Sequence, residues 1–544
     1  MKMIRNLKMA VCTVLAVLLA FNVIPAKGSD KVEARGASQA IAWGIDVSAW
    51  QGDIDWNAVK ASGVQFVFIK CGGTIYGYDE KFAQNMAGAT AAGLKIGVYI
   101  YSYATCVADG AVEAQWIINA IAPYSISMPV VLDLENYRQK ALDPLTNAMI
   151  CQTFCQIVEA AGYYPMVYSN RSMFRSTIGP FGYDKWVAQW TDYCYDESAA
   201  FWQATDSFSV PGIRGHVDLD YQFKDLSAYI IPYGFVSRDG FVYYYENYRR
   251  QANRFAAVDG SMYYVDAAGH VVAGALYPIG DYIYYFDPTG RMQVGFVNLG
   301  DGVRYFDENG HMVAGWQNIQ GGMYFFDANG LMHTGFISDG VYTYYLNEVG
   351  VLQAGLFPVG DQVFYADAAG HICVGLQNVG GTIYYFDPAK GGAMATGFVS
   401  DGTYTYYFNE FGALQTGLFP VGGSVYGTDA AGHILVGMQN VGGATYYFDP
   451  AKGGALTTGF ISDGVNSYCF GADGTLQKGL FAYGNGIYCS DDAGRIRTGL
   501  ITINGMNFYF DPAKGGALLV NGTATDALGH VYMADASGLA VMVS

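Results

Sequence analysis

The stretch Pro129-Val130-Val131-Leu132-Asp133-Leu134-Glu135-Asn136 is a short apolar run that ends in two carboxylates. A run of this length, entered by a proline, is typical of a buried strand. Because side chains alternate along a strand, we expect Asp133 and Glu135 on one face and Leu134 on the other. Two neighbouring acids repel each other, so one of them holds its proton to a higher pH. The pair therefore predicts a site that takes an acid and a base from one residue type.

Strand and helix patterns alternate around this stretch, over residues 41–226. The best-marked helix follows the carboxylate pair: Asp143 suits its N-cap, Pro144 its first turn and Gly162 its end. Eight short strands with helices between several of them predict an α/β fold, an irregular (β/α) TIM-like barrel. The segment is small for that fold, so some helices are expected to be short or missing. The predicted strands are Ala42–Val47, Phe66–Cys71, Ile96–Tyr101, Val130–Glu135, Met166–Ser169, Trp186–Gln189, Trp202–Thr205 and Val217–Tyr221.

Acidic residues collect where these strands end, which is where such barrels carry their chemistry. Asp46 ends the first strand, Asp133 and Glu135 end the fourth, and Asp218 lies in the last. The first and last strands of a closed barrel are neighbours, so Asp46 and Asp218 should be close. One acid at a strand end is usually a helix cap or a loop residue. Four acids that converge on one mouth indicate a catalytic site.

Composition excludes several other functions. The net charge of −18 over 544 residues disfavours nucleic acid as a partner, because phosphates would be repelled. The barrel segment holds a single histidine, His216, whereas a zinc hydrolase needs several ligands and a cysteine peptidase needs a histidine base. We interpret His216 as a loop residue. Carboxylate chemistry remains, and glycoside hydrolysis is its commonest form, so no cofactor and no metal are expected.

Aromatic residues support a sugar site in this segment. It holds seven of the eight tryptophans of the chain, and flat rings with a polar edge suit pyranose faces. Trp56 and Trp116 are expected in the core instead. The candidate substrate-binding residues are Tyr99, Tyr168, Gln189, Trp190 and Trp202.

Several spaced motifs resemble glycoside hydrolase family 25, whose members are lysozymes that cut N-acetylmuramic acid linkages. The resemblance covers residues 43–223 and implies that Glu135 is the general acid and that Asp133 positions the acetamido group of the substrate or polarises the attack. It implies that Asp46 and Asp218 shape and charge the site. Many members carry His-Phe where this chain has Ile100-Tyr101. The matching motifs are Gly44-Ile45-Asp46-Val47-Ser48, Gln51-Gly52, Ile54-Asp55-Trp56, Gly97-Val98-Tyr99, Asp133-Leu134-Glu135, Val167-Tyr168-Ser169-Asn170, Trp186-Val187-Ala188-Gln189-Trp190, Trp202-Gln203 and Val217-Asp218-Leu219-Asp220.

Three attacking groups remain open for the reaction: a carboxylate, a water, or the acetamido oxygen of the substrate itself. We favour the acetamido oxygen, because two acids at positions i and i+2 of one strand suit an acid and an orienting base.

The chain begins with a basic segment, an apolar run over Met9–Ile24 and small residues near Ala26. This order is typical of a secretory signal peptide, which we place at residues 1–26, followed by a linker over 27–40. The apolar run is short for a membrane anchor, the alternative interpretation. We therefore expect a secreted protein associated with the cell wall, with no membrane contact after signal cleavage.

Residues 227–544 repeat a short unit. Glycines followed by an apolar residue recur every 20 or 22 residues, and each unit reads as an aromatic strand, a polar turn and a second strand. This pattern predicts β-hairpins that stack into an all-β solenoid, since a lone hairpin is marginally stable. The glycines are Gly295, Gly315, Gly335, Gly355, Gly375, Gly397, Gly417, Gly437, Gly459, Gly479 and Gly499.

A longer period of 62 residues overlies the first, since Gly-Leu-Phe begins at Gly355, Gly417 and Gly479. Every third hairpin is therefore alike. The simplest geometry is three hairpins in each superhelical turn; the alternative is duplication without geometric meaning. In the first case Phe336, Phe398 and Phe460 form one stripe.

The repeats resemble the cell-wall-binding, or choline-binding, repeats of Gram-positive surface proteins. In that family a tryptophan after the glycine helps to cage the choline ammonium group by cation–π contact. Here only Trp316 fills that position, and Phe, Leu or Met occupy the others. The sequence therefore favours another cell-wall or surface polysaccharide over choline.

Together these features predict a secreted, bacteriolytic lysozyme (N-acetylmuramidase) that acts on peptidoglycan glycan strands and is anchored by its repeats. A signal peptide makes a phage lysin the less favoured source. The alternatives are a catalytically inactive surface glycan-binding protein or adhesin, which the intact Asp133 and Glu135 disfavour, and a hydrolase of another polysaccharide.

Overall fold

The computed structural model describes residues 34–544, so the predicted signal peptide and most of the predicted linker lie outside the described residues. The chain divides into two compact units. Among the described residues, the first unit holds residues 34–297 together with Phe306–Met312, and the second holds Asn298–Tyr305 and Val313–Ser544. This division puts the first hairpins with the barrel; the domain boundary at residues 226 and 227 stays a prediction.

A barrel of eight strands closes in the first unit, as predicted. Its order is β1-β9-β8-β7-β6-β5-β4-β2, and β1 pairs with β2 to complete the ring. One short strand, β3, extends β2 outside the ring. The strands are β1 (Ala42–Val47), β2 (Phe66–Gly73), β3 (Gly77–Tyr78), β4 (Lys95–Tyr101), β5 (Val130–Asp133), β6 (Pro165–Asn170), β7 (Lys185–Ala188), β8 (Ala199–Phe208) and β9 (Val217–Gln222).

Five α-helices connect the first strands of the barrel, and no α-helix follows β7 or β8 in the described chain. Asp143 caps the longest helix by accepting a hydrogen bond from the backbone of Thr146, and Pro144 opens that helix, as the sequence predicts. The helices are α1 (Trp56–Ala61), α2 (Phe82–Ala91), α3 (Val107–Ile121), α4 (Pro144–Ala160) and α5 (Arg171–Ser176). None of the helices over residues 34–544 is long and apolar enough to cross a membrane.

Strand direction differs from a regular parallel barrel at one point. β9 runs antiparallel to both β1 and β8, whereas the other neighbours in the ring are parallel. The beginning of β9 therefore lies at the mouth that the ends of the parallel strands form. Asp218, the second residue of β9, pairs with Asp46 of β1.

Two apolar clusters follow the alternation of the strands. Phe66 and Phe68 belong to the cluster that fills the ring, together with Trp186 and Phe201. Val67 and Ile69 belong to the cluster between the ring and its helices. The four rings named in the first cluster are at most 1% exposed, so aromatic rings fill the interior of the barrel.

Hairpins make up the remainder of both units. In the first unit they are β10 (Tyr233–Arg238) with β11 (Phe241–Glu246) and β12 (Arg249–Arg250), β13 (Arg254–Val258) with β14 (Ser261–Val265), and β15 (Ala275–Ile279) with β16 (Tyr282–Phe286). The next hairpin consists of β17 (Gly295–Asn298) and β18 (Val303–Phe306).

The second unit continues the same pattern to its end. Its strands are β19 (Gly315–Ile319), β20 (Gly322–Phe326), β21 (Gly335–Ser338), β22 (Thr343–Leu346), β23 (Gly355–Val359), β24 (Gln362–Ala366), β25 (Gly375–Val379), β26 (Thr382–Asp387), β27 (Ala393–Met394), β28 (Gly397–Ser400), β29 (Thr405–Phe408), β30 (Leu418–Val421), β31 (Ser424–Gly427), β32 (Gly437–Val441), β33 (Ala444–Asp449), β34 (Ala455–Leu456), β35 (Gly459–Ser462), β36 (Ser467–Phe470), β37 (Leu480–Tyr483), β38 (Gly486–Cys489), β39 (Gly499–Ile503), β40 (Met506–Asp511), β41 (Ala517–Leu518), β42 (Gly522–Thr525), β43 (Val531–Ala534) and β44 (Ala540–Met542).

Successive hairpins of the second unit are joined by backbone hydrogen bonds and buried rings. The amide of Leu352 donates to the carbonyl of Met323, and the amide of Ile372 to that of Thr343, each over 2.8 Å. The second strands contribute fully buried phenylalanines such as Phe386. The predicted stack of β-hairpins is confirmed, while three hairpins in each turn stays a prediction.

Candidate active site

The four predicted acids line one cavity of about 380 Å³ at the mouth of the barrel. Asp46 is the fifth residue of β1, Asp133 ends β5, and Glu135 follows two residues later. β5 is thus shorter than the predicted strand, but the chain stays in register because the amide of Leu134 donates to the carbonyl of Tyr168. Alternation continues to residue 135, so Asp133 and Glu135 share a face as predicted.

Burial is the main cause of the raised pKa values of Asp133 and Glu135. Burial and the charge of Glu135 raise the pKa of Asp133 well above its ordinary range, while Lys70 opposes the shift. Burial also raises the pKa of Glu135, against the charges of Lys140 and Lys70. The two carboxyl groups therefore share a site that favours holding one proton between them.

The pKa values of the second pair of acids, Asp46 and Asp218, are raised as well. Burial and the charge of Asp218 raise the pKa of Asp46, while a hydrogen bond from Gln203 lowers it. Burial raises the pKa of Asp218 to about 6. The mouth therefore concentrates acids whose pKa values are raised by burial, which is common in catalytic sites.

A hydrogen-bonded network orients Asp46. Gln203 of β8 donates from Nε2 to Oδ2 of Asp46 over 2.8 Å. Its Oε1 accepts from the hydroxyl of Tyr168 at 2.9 Å and from Nε1 of Trp190 at 3.2 Å. Nε1 of the buried Trp186 likewise donates to Oδ1 of the buried Asp220 at 2.8 Å. Asp46 and Asp220 are thus each held by a buried side chain, Gln203 and Trp186 respectively.

The predicted substrate-binding residues take different places. Tyr99 and Tyr168 line the cavity. Trp190 is exposed beside it and touches the network through its N–H. Trp202 is buried and stacks on Tyr221, and its N–H donates to the carbonyl of Gln189.

Gln189 itself serves the loop that follows β7. Its Nε2 donates to Oγ1 of Thr191 and to the carbonyl of Tyr193. The structure thus brings Tyr99 and Tyr168 to the acids and leaves Trp190 at the rim, and the five substrate contacts stay predictions.

Sequence reasoning did not single out four residues that the structure brings to the site. Lys70 interrupts the apolar run of β2, which is a signal that a charged side chain is needed there. Asp220 follows Asp218 at i+2 and so shares its face, as Glu135 does with Asp133. Gln203 and Trp186 stand in motifs that carry the family resemblance, but their residue types alone do not indicate a bond to an acid.

No group of three or more His, Cys, Asp or Glu side chains within residues 34–544 is arranged to hold a metal ion. The mouth contains carboxyl groups of raised pKa, one lysine and several tyrosine rings. Such a set can donate and accept protons at a sugar linkage.

One family model matches the barrel and another matches part of the repeats. Residues 45–213 match the model of glycosyl hydrolases family 25, and residues 314–332 match that of a cell wall binding repeat. An autolytic lysozyme of Clostridium acetobutylicum is 32% identical over 181 residues, which are 32% of this chain and 54% of the relative. Lysozyme M1 of Streptomyces globisporus is 28% identical over 198 residues, which are 32% of this chain and 65% of the relative. The chain thus spans about half the length of the first of these relatives.

Among solved structures, choline binding protein F from Streptococcus pneumoniae is 23% identical with a TM-score of 0.33. The match covers 49% of this chain and 99% of the chain of choline binding protein F.

Proposed function

We propose that this protein, whose barrel is a glycosyl hydrolase family 25 domain followed by cell wall binding repeats, is a secreted peptidoglycan hydrolase. It would cleave the β-1,4 bond between N-acetylmuramic acid and N-acetylglucosamine. The observation that carries this proposal is the meeting of Asp133 and Glu135 with Asp46 and Asp218 in one cavity. Glycoside hydrolysis requires a pair of carboxyl groups that lie in different environments.

Glu135 is the general acid in this proposal. It is more exposed than Asp133, so its carboxyl group can reach the leaving oxygen of a bound glycan. Burial nevertheless raises its pKa, which keeps a proton available for transfer.

Asp133 orients the substrate. Its Oδ1 is buried and has no hydrogen-bond partner among the described residues. An acetamido N–H of the sugar would satisfy this oxygen and turn the acetamido carbonyl toward the anomeric carbon. Asp46 and Asp218 line the same cavity and stabilise the positive charge that develops on the sugar ring.

The favoured reaction uses the acetamido group. Glu135 gives its proton to the glycosidic oxygen as the bond from that oxygen to the anomeric carbon breaks. The acetamido oxygen forms a new bond to the same carbon, and water then opens the cyclic intermediate while Glu135 recovers a proton. Two displacements retain the anomeric configuration, so an inverted product seen by NMR would rule this route out.

The repeats would hold the enzyme on its polymer. With Trp316 as the only tryptophan at the position after the repeat glycine, a wall or surface polysaccharide is favoured over choline. Free choline should therefore fail to release the full-length Glu135→Gln protein from purified cell walls, whereas soluble wall polysaccharide should release it. Release by choline would reassign the ligand.

Digestion of purified peptidoglycan tests the enzymatic proposal. The mature protein should release muramic acid reducing ends, and its Glu135→Gln variant should release none. Glucosamine ends would keep the hydrolase and change the linkage. No new ends from the wild type on several walls would instead favour a glycan-binding protein without activity.

A further inference from the structure

A second cavity, of about 410 Å³, lies at the end of the barrel opposite to the acidic mouth. Pro165, which begins β6, and Asp184, which precedes β7, line one side of it, together with Lys224 after the end of the antiparallel β9. Arg238 and Arg250 of the hairpin formed by β10, β11 and β12 line the other side. None of the four acids of the mouth lines this cavity, so the proposed reaction does not use it. Its volume lies in the range of small-ligand pockets.

Backbone contacts fasten this hairpin to the end of helix α4, so both walls of the cavity are fixed. The amide of Arg250 donates to the carbonyl of Gly162 over 2.9 Å, and its Nη2 donates to the carbonyl of Glu159. Nε of Arg249 donates to the carbonyl of Ala161. A Cβ at Gly162 would lie 2.2 Å from the backbone oxygen of Arg250, so only glycine allows this close approach. A cavity with walls held in this way needs little ordering when a ligand binds.

Lys224 and Asp184 form the first of three ion pairs in the lining. Nζ of Lys224 lies 2.8 Å from Oδ2 and 3.0 Å from Oδ1 of Asp184, and 3.0 Å from the hydroxyl oxygen of Tyr164. An ammonium group has three protons to donate, and these three acceptors use them. The hydroxyl of Tyr164 in turn donates to Asp184. This pair therefore offers a ligand neither an unpaired cation nor an unpaired acid.

Two further pairs complete the charged part of the lining. Glu159 accepts from the hydroxyl of Tyr183 over 2.9 Å and lies 3.9 Å from Nη1 of Arg250. Nε of Arg238 donates to Asp239 over 3.1 Å. The lining thus carries three acids and three cations, each matched to a partner, and its formal net charge is zero. Such a lining favours a neutral ligand over a phosphate, a carboxylate or a cation.

Tyrosine rings supply most of the remaining surface. Tyr164, Tyr183 and Tyr229 line the cavity and are half-buried. The rings of Tyr164 and Tyr229 lie 5.5 Å apart at an angle of 69°, so they form no parallel slot for a flat aromatic ligand. Ring faces with hydroxyl edges instead suit the apolar faces and polar edges of a pyranose.

We propose that this cavity is a binding site for a neutral saccharide, separate from the site of hydrolysis. The rings of Tyr164 and Tyr229 would contact the sugar faces, and the ion-paired side chains would bond to the sugar hydroxyl groups. The same chemistry occurs in the N-acetylglucosamine units of peptidoglycan and in uncharged wall polysaccharides. The inference goes beyond the proposed function, because it does not require that the barrel cleave the saccharide bound here.

Oligosaccharide binding by the full-length Glu135→Gln protein tests the proposal, since this variant should not consume the probe. The probes are the tetramer of N-acetylglucosamine and the tetramer of glucose, which represent the two sources. At least one of them should slow hydrogen exchange over residues 159–165 and 238–250, measured by mass spectrometry. Adding Tyr229→Ala should raise the Kd obtained from this protection roughly three- to tenfold, because a ring face is lost. Tyr229→Phe keeps the ring face and should keep the Kd.

Gly182→Phe is a second variant, which fills the cavity without removing a packed ring. Gly182 lines the cavity and does not have a positive φ angle. The nearest atom to a Cβ there is Oε1 of Gln152 at 3.8 Å, so the backbone accepts a side chain. The phenylalanine should abolish the protection of residues 159–165 and 238–250. The control is Tyr195→Ala, an exposed tyrosine of the barrel that does not line this cavity and should change nothing.

Protection by the N-acetylglucosamine tetramer alone would support the site and assign it to peptidoglycan, and protection by the glucose tetramer alone would assign it to a neutral wall polysaccharide. No protection of the two segments by either tetramer would overturn the proposal. Equal Kd values in the parent, Tyr229→Ala and Gly182→Phe proteins would also overturn it. Protection by poly(glycerol phosphate) but by neither tetramer would assign the cavity to an anionic polymer and refute the neutral ligand.

Discussion

Gln203 and Asp46 are joined by a hydrogen bond of 2.8 Å between strands β8 and β1, although 157 positions separate them in the chain. The strand between them in the ring is the antiparallel β9. The side chain of Gln203 also accepts hydrogen bonds from Tyr168 and Trp190. One neutral amide therefore connects Asp46 with Tyr168, which lines the cavity, and with Trp190 beside it.

Replacing Gln203 with leucine should lower catalytic activity. Asp46 would lose the donor that opposes its raised pKa, and two further side chains would lose their acceptor. A hydrogen bond to a charged group is worth about 1.5–3 kcal/mol, so kcat/KM should fall roughly ten- to a hundredfold. Kinetics on purified peptidoglycan measure this. Gln84→Leu, an exposed amide bonded to Asp53, is the control; equal losses in both variants would contradict the role of Gln203.

Lys70 should control the pH range of activity. Its positive charge lowers the pKa of both Asp133 and Glu135, so Lys70→Met should raise both values. Because Glu135 must be protonated to act as the acid, the alkaline limb of the pH profile of kcat/KM should move to higher pH. Lys70→Arg keeps the charge and should keep the limb in place. A limb that moves to lower pH in Lys70→Met would refute the assignment.

Asp133→Asn should stabilise the barrel at neutral pH while abolishing activity. Burial and Glu135 raise the pKa of Asp133 in the folded protein. The unfolded chain releases this proton first, near pH 4, so stability falls as the pH rises from there through the folded pKa. An asparagine carries no such loss.

The gain of Asp133→Asn over wild type should be near zero below pH 4 and at least about 1 kcal/mol at pH 7. Urea unfolding followed by tryptophan fluorescence reports it, since seven of the eight tryptophans lie in the barrel segment. The exposed Glu197→Gln should change stability at either pH by less than about 0.5 kcal/mol. A gain that is largest at acidic pH would show that the sign is wrong.

Alanine substitutions at two glycines of the repeats can separate the cost of a steric clash from the cost of backbone strain. Gly454 and Gly464 have φ angles of +88° and +90°, so alanine is equally strained at both. A Cβ at Gly454 would lie 2.7 Å from the backbone oxygen of Leu435, whereas nothing lies within 4 Å at Gly464.

Gly464→Ala should cost about 1 kcal/mol, and Gly454→Ala about 2 kcal/mol or more, because the clash adds to the strain. Hydrogen exchange read by mass spectrometry over β33 and β34 would show the difference as faster local opening in Gly454→Ala. Equal protection in the two variants would mean that the backbone near Leu435 yields to the extra methyl group.

Local patterns in the chain were sufficient for much of the architecture. The bounds of β1 are those that the sequence predicts, and Asp143 caps its helix as expected, because strand alternation and helix capping depend on neighbouring residues. The repeat spacing likewise predicts the hairpins, since each unit carries its own turn. The side-by-side placement of Asp133 and Glu135 follows from the period of one strand.

Only the tertiary structure decided which distant groups meet. The antiparallel direction of β9 brings its beginning, with Asp218, to the mouth, and no local pattern distinguishes that direction from a parallel one. Strand pairing also placed Gln203 on Asp46 and turned Gln189 toward its own loop. Tyr101 at the end of β4, Tyr103 after it and Tyr76 before β3 likewise come from separate segments, and their neighbouring rings lie 5.1 Å and 5.5 Å apart. Such contacts depend on the closure of the whole ring, a long-range event that residue types along the chain do not encode separately.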